Sequence, residues 1–87
     1  MPIEDVLSSK GRVRILRILA EIGELNISEI ARRSGLNYAT THSHLQVLEG
    51  FGLVGHKKFG RIQIFYFNDS DPRAEAIRKI MDQWSES

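Results

Sequence analysis

The sequence predicts a mainly α fold with one small β-hairpin, ordered α-α-α-β-β-α after a short N-terminal helical turn. Three observations support this. Apolar residues recur at spacings of three and four after Ser9 and again after Pro72. Between those stretches, Gly35 and Asn37 fall where one short helix should stop and the next should start. After Gly50 the period drops to two, in runs rich in β-branched and aromatic residues. Eighty-seven residues make one small domain, 1–87, with a single modest core.

The first full helix carries Ile15, Leu16, Leu19 and Ile22 on one stripe, with Arg14, Arg17 and Glu21 turned elsewhere. Ser8 or Ser9 caps it and Gly23 stops it. Ahead of it, Pro2 opens a short amphipathic turn containing Ile3, Val6 and Leu7. Leu25–Ile27 is an extended link. Ser28 then caps a second helix, with Ile30 and Ala31 facing inward and Gly35 at its end. A tight turn leads to Asn37, the cap of a third helix running to about Glu49. Two short helices joined by a few residues including a glycine form the helix-turn-helix pattern. The runs LVGHKKF and IQIFYFN make a hairpin whose basic tip lies near Gly60-Arg61. In the second run Ile62, Ile64 and Tyr66 alternate with Gln63, Phe65 and Phe67. Both faces are fairly apolar, so one lies on the helices and the other is partly covered. Asp71-Pro72 then starts a last helix with an apolar stripe of Ala74, Ile77, Ile80, Met81 and Trp84.

Composition narrows the function. The chain has no cysteine, which removes disulfides, thiolate metal sites and cysteine nucleophiles and fits a reducing interior. No apolar run approaches a membrane span and the N-terminus has acids where a secretion signal carries bases, so a cytoplasmic location is expected. Net charge is +1, but residues 25–68 carry five bases against two acids, while residues 69–87 carry three bases against five acids. Positive charge thus gathers in the middle of the chain, as a nucleic-acid face requires.

The third helix is unusual. At 100° per residue, Tyr38, Thr41, His44, Leu45 and Leu48 share one face, which the leucines turn inward. The opposite arc holds Ala39, His42, Ser43 and Gln46, with Thr40 and Val47 on its edge. Solvated helix faces ordinarily use Lys, Glu and Arg. A small, uncharged, hydrogen-bonding arc instead suits a groove, where such residues read base edges, and Gln46 is the best candidate for a bidentate adenine contact. Asn37, Tyr38 and Thr40 can meet a phosphate through hydroxyls and free helix-start amides. Lys57, Lys58 and Arg61 on the hairpin, and Arg32 and Arg33 at the end of the second helix, are candidate backbone contacts. For each, a solvated surface base is the plainer alternative.

Other chemistry is disfavoured. His42 and His44 lie about 200° apart on a helix and cannot chelate one ion together, so no metal site is expected. His44 is expected to be partly buried and bonded to a carbonyl. No acid near His42 and Ser43 orients an imidazole for nucleophilic work, and no glycine-rich phosphate loop is present, so no catalytic residue, cofactor or small-molecule ligand is assigned.

The runs GRVRILRIL, ISEIARRSGLNYATTHSHLQVLEGFGLV and FGRIQIFYF resemble winged helix-turn-helix regulators of the ArsR type, especially small archaeal members, over residues 8–68. The resemblance implies a helix in the major groove, a wing near the backbone or minor groove, and a twofold dimer. It also implies DNA contacts from the first half of the third helix, here Tyr38, Ala39, His42 and Ser43. Metal-sensing members carry cysteines at the start of the second helix, or histidines and acids on the last helix. This chain has no cysteine, and its last helix has no histidine. The terminal apolar residues Ile3, Val6, Leu7, Ile77, Ile80, Met81 and Trp84 exceed what one small core needs, so the N-terminal turn and the 71–85 helix are expected to form a homodimer interface. The expected function is sequence-specific binding of double-stranded DNA for transcription regulation. The rivals are a winged-helix protein-interaction module and sequence-independent DNA coating.

Overall fold

Side chains that can accept a backbone N–H set where the helices begin. In the computed structural model, which describes residues 3–85, Ser9 Oγ accepts from the Arg12 amide at 3.2 Å and starts α2 (Lys10–Ile22). Asn37 Oδ1 accepts from the Thr40 amide at 2.8 Å and starts α4 (Tyr38–Gly50). Between them, α3 (Ile27–Ser34) is capped by Asn26, whose Oδ1 accepts from the Glu29 amide at 2.8 Å. Ser28, the expected cap, lies inside that helix: Asn26 stands three residues before Glu29, a stronger start signal. Gly35 ends α3 at φ 74°. The opening turn is α1 (Ile3–Leu7), and Pro2, expected to start it, lies outside the described residues.

The hairpin forms as β2 (Val54–Phe59) and β3 (Ile62–Phe67), in a register that pairs Phe59 with Ile62 across the two-residue loop Gly60–Arg61. Gly60 sits at φ 60°, as the first position of a II′ hairpin turn demands. The link expected at 25–27 is instead a strand, β1 (Glu24–Asn26), so the sheet has three antiparallel strands in the order β1-β3-β2. Three residues are too few to show a period of two. It is the open edge of β3 that draws them into a ladder. The last helix, α5 (Pro72–Ser85), begins where Asp71 Oδ1 accepts the Arg73 amide at 2.8 Å.

The core gathers one face from each element. Ile15, Leu16 and Leu19 of α2 meet Ile30 of α3, Leu45 and Leu48 of α4, and Phe65 and Phe67 of β3, with Val6, Ala74 and Met81 closing the end formed by α1 and α5. Each full burial of this kind contributes about 1.5–3 kcal/mol. Ile22, expected on the inner stripe, is exposed at the last position of α2. Gly11 allows α2 and α4 to approach: a Cβ there would stand 3.0 Å from His44 Nε2 and 3.2 Å from Leu36 Cδ1. Among the described residues no helix is long and apolar enough to cross a membrane.

Candidate nucleic-acid interface

The outward arc of α4 has the character that its residue types predict. Ala39, Ser43 and Gln46 are exposed, His42 and Thr40 are half-buried, and none of these carries a fixed charge. The inner face is pinned by Leu45 and Leu48 and by Thr41, whose hydroxyl donates to the Asn37 carbonyl at 2.9 Å. Tyr38, placed with the leucines by helical geometry, is instead exposed, since its first-turn position lies beyond the reach of the core. Its ring lies parallel to that of His42, with centroids 6.4 Å apart. The side-chain oxygen of Asn37 accepts the cap hydrogen bond, and its amide nitrogen is the donor available to an outside acceptor.

His44 is half-buried and packs against Gly11 and Leu36 in place of the carbonyl expected for it. Burial first, and the Arg12 guanidinium second, hold its pKa below the usual 6.5. The ring therefore favours its neutral form, a core role rather than a ligand role.

The basic residues divide into three groups. Arg32 and Arg33 both pair with Glu29, Arg33 at 3.0 Å, and the Arg32 hydrogen bond chiefly lowers the Glu29 pKa. Both guanidiniums remain substantially exposed, but they share one carboxylate and so offer less net charge than two free arginines. Lys57 lies on the outer sheet face, 3.2 Å from Glu24 and over the Tyr66 ring at 5.9 Å. Lys58, one residue on, faces the opposite way. With Arg61, Ile62 and Gln63 it lines a groove of about 420 Å³ that also takes in Tyr38 and the start of α3, Asn26 to Ser28. The hairpin tip and the first turn of α4 thus border one polar, basic groove. Lys57, expected to act with Lys58, lies outside it, on the outer face beside Glu24.

Three features of this surface were not expected. Ser28 and Gln63 line the groove as neutral hydrogen-bonding groups. His56 Nδ1 lies 2.5 Å from Glu49 Oε2, tying the base of the hairpin to the end of α4, with its ring against Phe65. Phe59 and Ile62 stand exposed at the tip. The last was hinted at by the apolar character of both faces of the hairpin, whereas the other two depend on contacts between different elements.

The terminal residues also divide. Val6 and Met81 belong to the core, at 3% and 9% exposure, and Ile77 packs against it. Ile3, Leu7, Ile80 and Trp84 stay exposed and border shallow apolar grooves between α1 and α5. Val6 and Met81 are thus fixtures of the single chain, because the small core needs both to close its end.

Residues 9–55 match the model of the family described as bacterial regulatory protein, arsR family. A cadmium resistance transcriptional regulatory protein CadC homolog of Staphylococcus aureus is 29% identical over 73 residues, 84% of this chain and 60% of that protein. CadC of Listeria innocua is 34% identical over 62 residues, 71% of this chain and 51% of that protein. The chain therefore spans between half and three-fifths of the length of these relatives. Among solved structures, the homodimeric winged helix-turn-helix DNA-binding domain of a possible ArsR-family regulator from Mycobacterium bovis is 25% identical. It covers 97% of this chain and 75% of its own, with a TM-score of 0.77. HlyU from Vibrio cholerae, 20% identical, shares the fold with a TM-score of 0.83 over 98% of this chain and 89% of its own. The CadC relatives are named as transcriptional regulatory proteins, and the Mycobacterium bovis protein as a possible transcriptional regulator. With its winged helix-turn-helix fold and a family match over more than half its length, the chain belongs to the arsR family of DNA-binding transcriptional regulators.

Proposed function

We propose that this chain binds a specific double-stranded DNA site as a twofold homodimer, with α4 in the major groove and the β2–β3 wing on the backbone and minor groove. The observation that carries this reading is the juxtaposition of an uncharged, exposed α4 arc with the basic groove at the wing tip. Ala39, His42, Ser43 and Gln46 meet base edges. Tyr38, Thr40, Lys58 and Arg61 meet phosphates, helped by the Asn37 amide nitrogen. Lys57 and Arg33, each already beside a carboxylate, act as weaker peripheral contacts. The exposed face of Ile3, Leu7, Ile80 and Trp84, with Ile77 beneath it, supports pairing through α1 and α5. The Mycobacterium bovis relative is homodimeric, which supports the pairing of two copies. Such a dimer sets two copies of α4 about 34 Å apart, one DNA turn.

Two CadC relatives are named for cadmium resistance. Among the described residues of this chain, no group of three or more His, Cys, Asp or Glu is placed to hold a metal ion, and the sequence has no cysteine. We therefore propose that this segment binds DNA without a metal switch of its own. A gel-shift titration on the DNA upstream of its own gene, with unrelated DNA as competitor and with cadmium or zinc added in parallel, tests both statements. Equal competition by unrelated DNA would reduce the reading to coating, no binding at low salt would favour a protein partner, and release by metal would refute the second statement.

A further inference from the structure

Phosphate contacts leave one feature of the wing tip unused. Phe59 and Ile62 face each other across the Gly60–Arg61 loop, with 59% and 54% of their surfaces exposed. Both lie on the outer sheet face, continuous with the half-buried Ile64 and Tyr66. Two large hydrophobes side by side at a hairpin tip lose solubility and add nothing to the core. Arg61 stands in the loop between them, Lys57 shares their face with Glu24 beside it, Lys58 flanks the tip from the opposite face, and the segment 54–67 itself contains neither Asp nor Glu. An apolar pair at the tip of a hairpin that carries three bases and no acid of its own is complementary to a polyanion with apolar surface inside it. The minor groove answers that description, with phosphates along its rims and sugar faces and base steps between them. The tip also borders the same groove as Tyr38 in the first turn of α4, so it lies beside the groove-reading helix.

Building on the DNA-binding reading above, we propose that the wing is a wedge: Phe59 and Ile62 enter the minor groove and partly unstack one base step. Arg61 holds the tip between the two phosphate rims while the apolar pair replaces water against the sugars. Opening a step is least costly at flexible pyrimidine–purine steps. The wing then confers a preference for such a step where it enters, without a hydrogen bond to any base. The DNA bends toward the major groove, and so toward α4.

The test places 2-aminopurine at successive positions flanking the major-groove site and compares the wild-type chain with the Phe59→Ala/Ile62→Ala double variant. Both side chains are exposed, so the double variant is expected to melt within a degree or two of wild type, and Phe59→Leu serves as the apolar control. Wild type and Phe59→Leu should raise the fluorescence at one step per half-site. The double variant should abolish that rise and bind about tenfold more weakly, with an unchanged salt slope, whereas Arg61→Ala should lower the slope by about one. If wild type binds its site with no fluorescence rise at any position, or if the double variant binds and unstacks as wild type does, the wedge is refuted while DNA binding stands. If wild type binds no duplex at all, the reading beneath the wedge falls with it.

Discussion

Gln46 and Lys58 stand for two kinds of contact with different signatures. Gln46 is an exposed neutral amide on the α4 arc, while Lys58 is a charge in the wing groove. Gln46→Ala should weaken the specific site by about 1–3 kcal/mol and leave random DNA nearly untouched, whereas Lys58→Ala should weaken both and flatten the salt dependence by about one unit. Competition titrations at several salt concentrations separate the two, and equal losses on every sequence would refute base reading by Gln46. His44 sits on the same helix and reports on folding. Its pKa is lowered by burial, so between the usual 6.5 and the lower folded value the unfolded chain binds more protons than the folded one. Stability is therefore full above about pH 6.5 and declines as pH falls below it, until the folded state protonates too. His44→Gln, which has no charge to bury, should flatten that part of a plot of melting temperature against pH. The divergent fates of the two histidines were legible in the sequence because only helical period was needed. The pairing of His56 with Glu49 was not, since it joins a strand to a helix across a turn.

Elements were legible where a local signal marks them. Asn37 and Ser9 cap as their types and positions suggest, and Gly35 closes α3 in the left-handed region. Asn37→Ala should destabilise the chain by about 1 kcal/mol in urea unfolding, and Asn37→Ser should restore most of that loss. Because the cap also aims the first turn of α4, the alanine variant should bind DNA more weakly by a margin the serine variant recovers. No loss in either assay would mean that packing of Leu45 and Leu48 alone sets the start of the helix. Elements were misread where two signals competed or where the cause lay far away. Ser28 and Asn26 are both capping types, and the tie is broken by Glu29 three residues after Asn26. Strand β1 exists because Leu25 pairs with Phe65, forty residues on. Lys57 and Lys58 read as one basic run, yet the two-residue period of the strand gives them to different faces, with Glu24 waiting beside only the first.

At the scale of the whole molecule, the periodicity of the terminal helices foretold an apolar stripe but could not apportion it between core and interface. Val6 and Met81 went to the core, at 3% and 9% exposure, with Val13 and Ile77 packed against it. Ile3, Leu7, Ile80 and Trp84 were left outside, and a chain this small does not ordinarily leave a contiguous apolar face uncovered. A twofold pair covers it with the same face of a second copy, and each residue then acts twice. Leu7→Glu combined with Ile80→Glu sets four carboxylates into such an interface. Each is costly to bury without a partner, while in the single chain both positions are exposed and the change is nearly neutral. The double variant should therefore keep its circular dichroism spectrum but run as a monomer in size exclusion with light scattering. Its affinity for the full site should fall by orders of magnitude, while a half-site is bound as weakly as by wild type, because neither α4 nor the wing is touched. A variant that remains dimeric would move the interface elsewhere, and a monomer that held the full site at wild-type affinity would separate DNA reading from dimer formation.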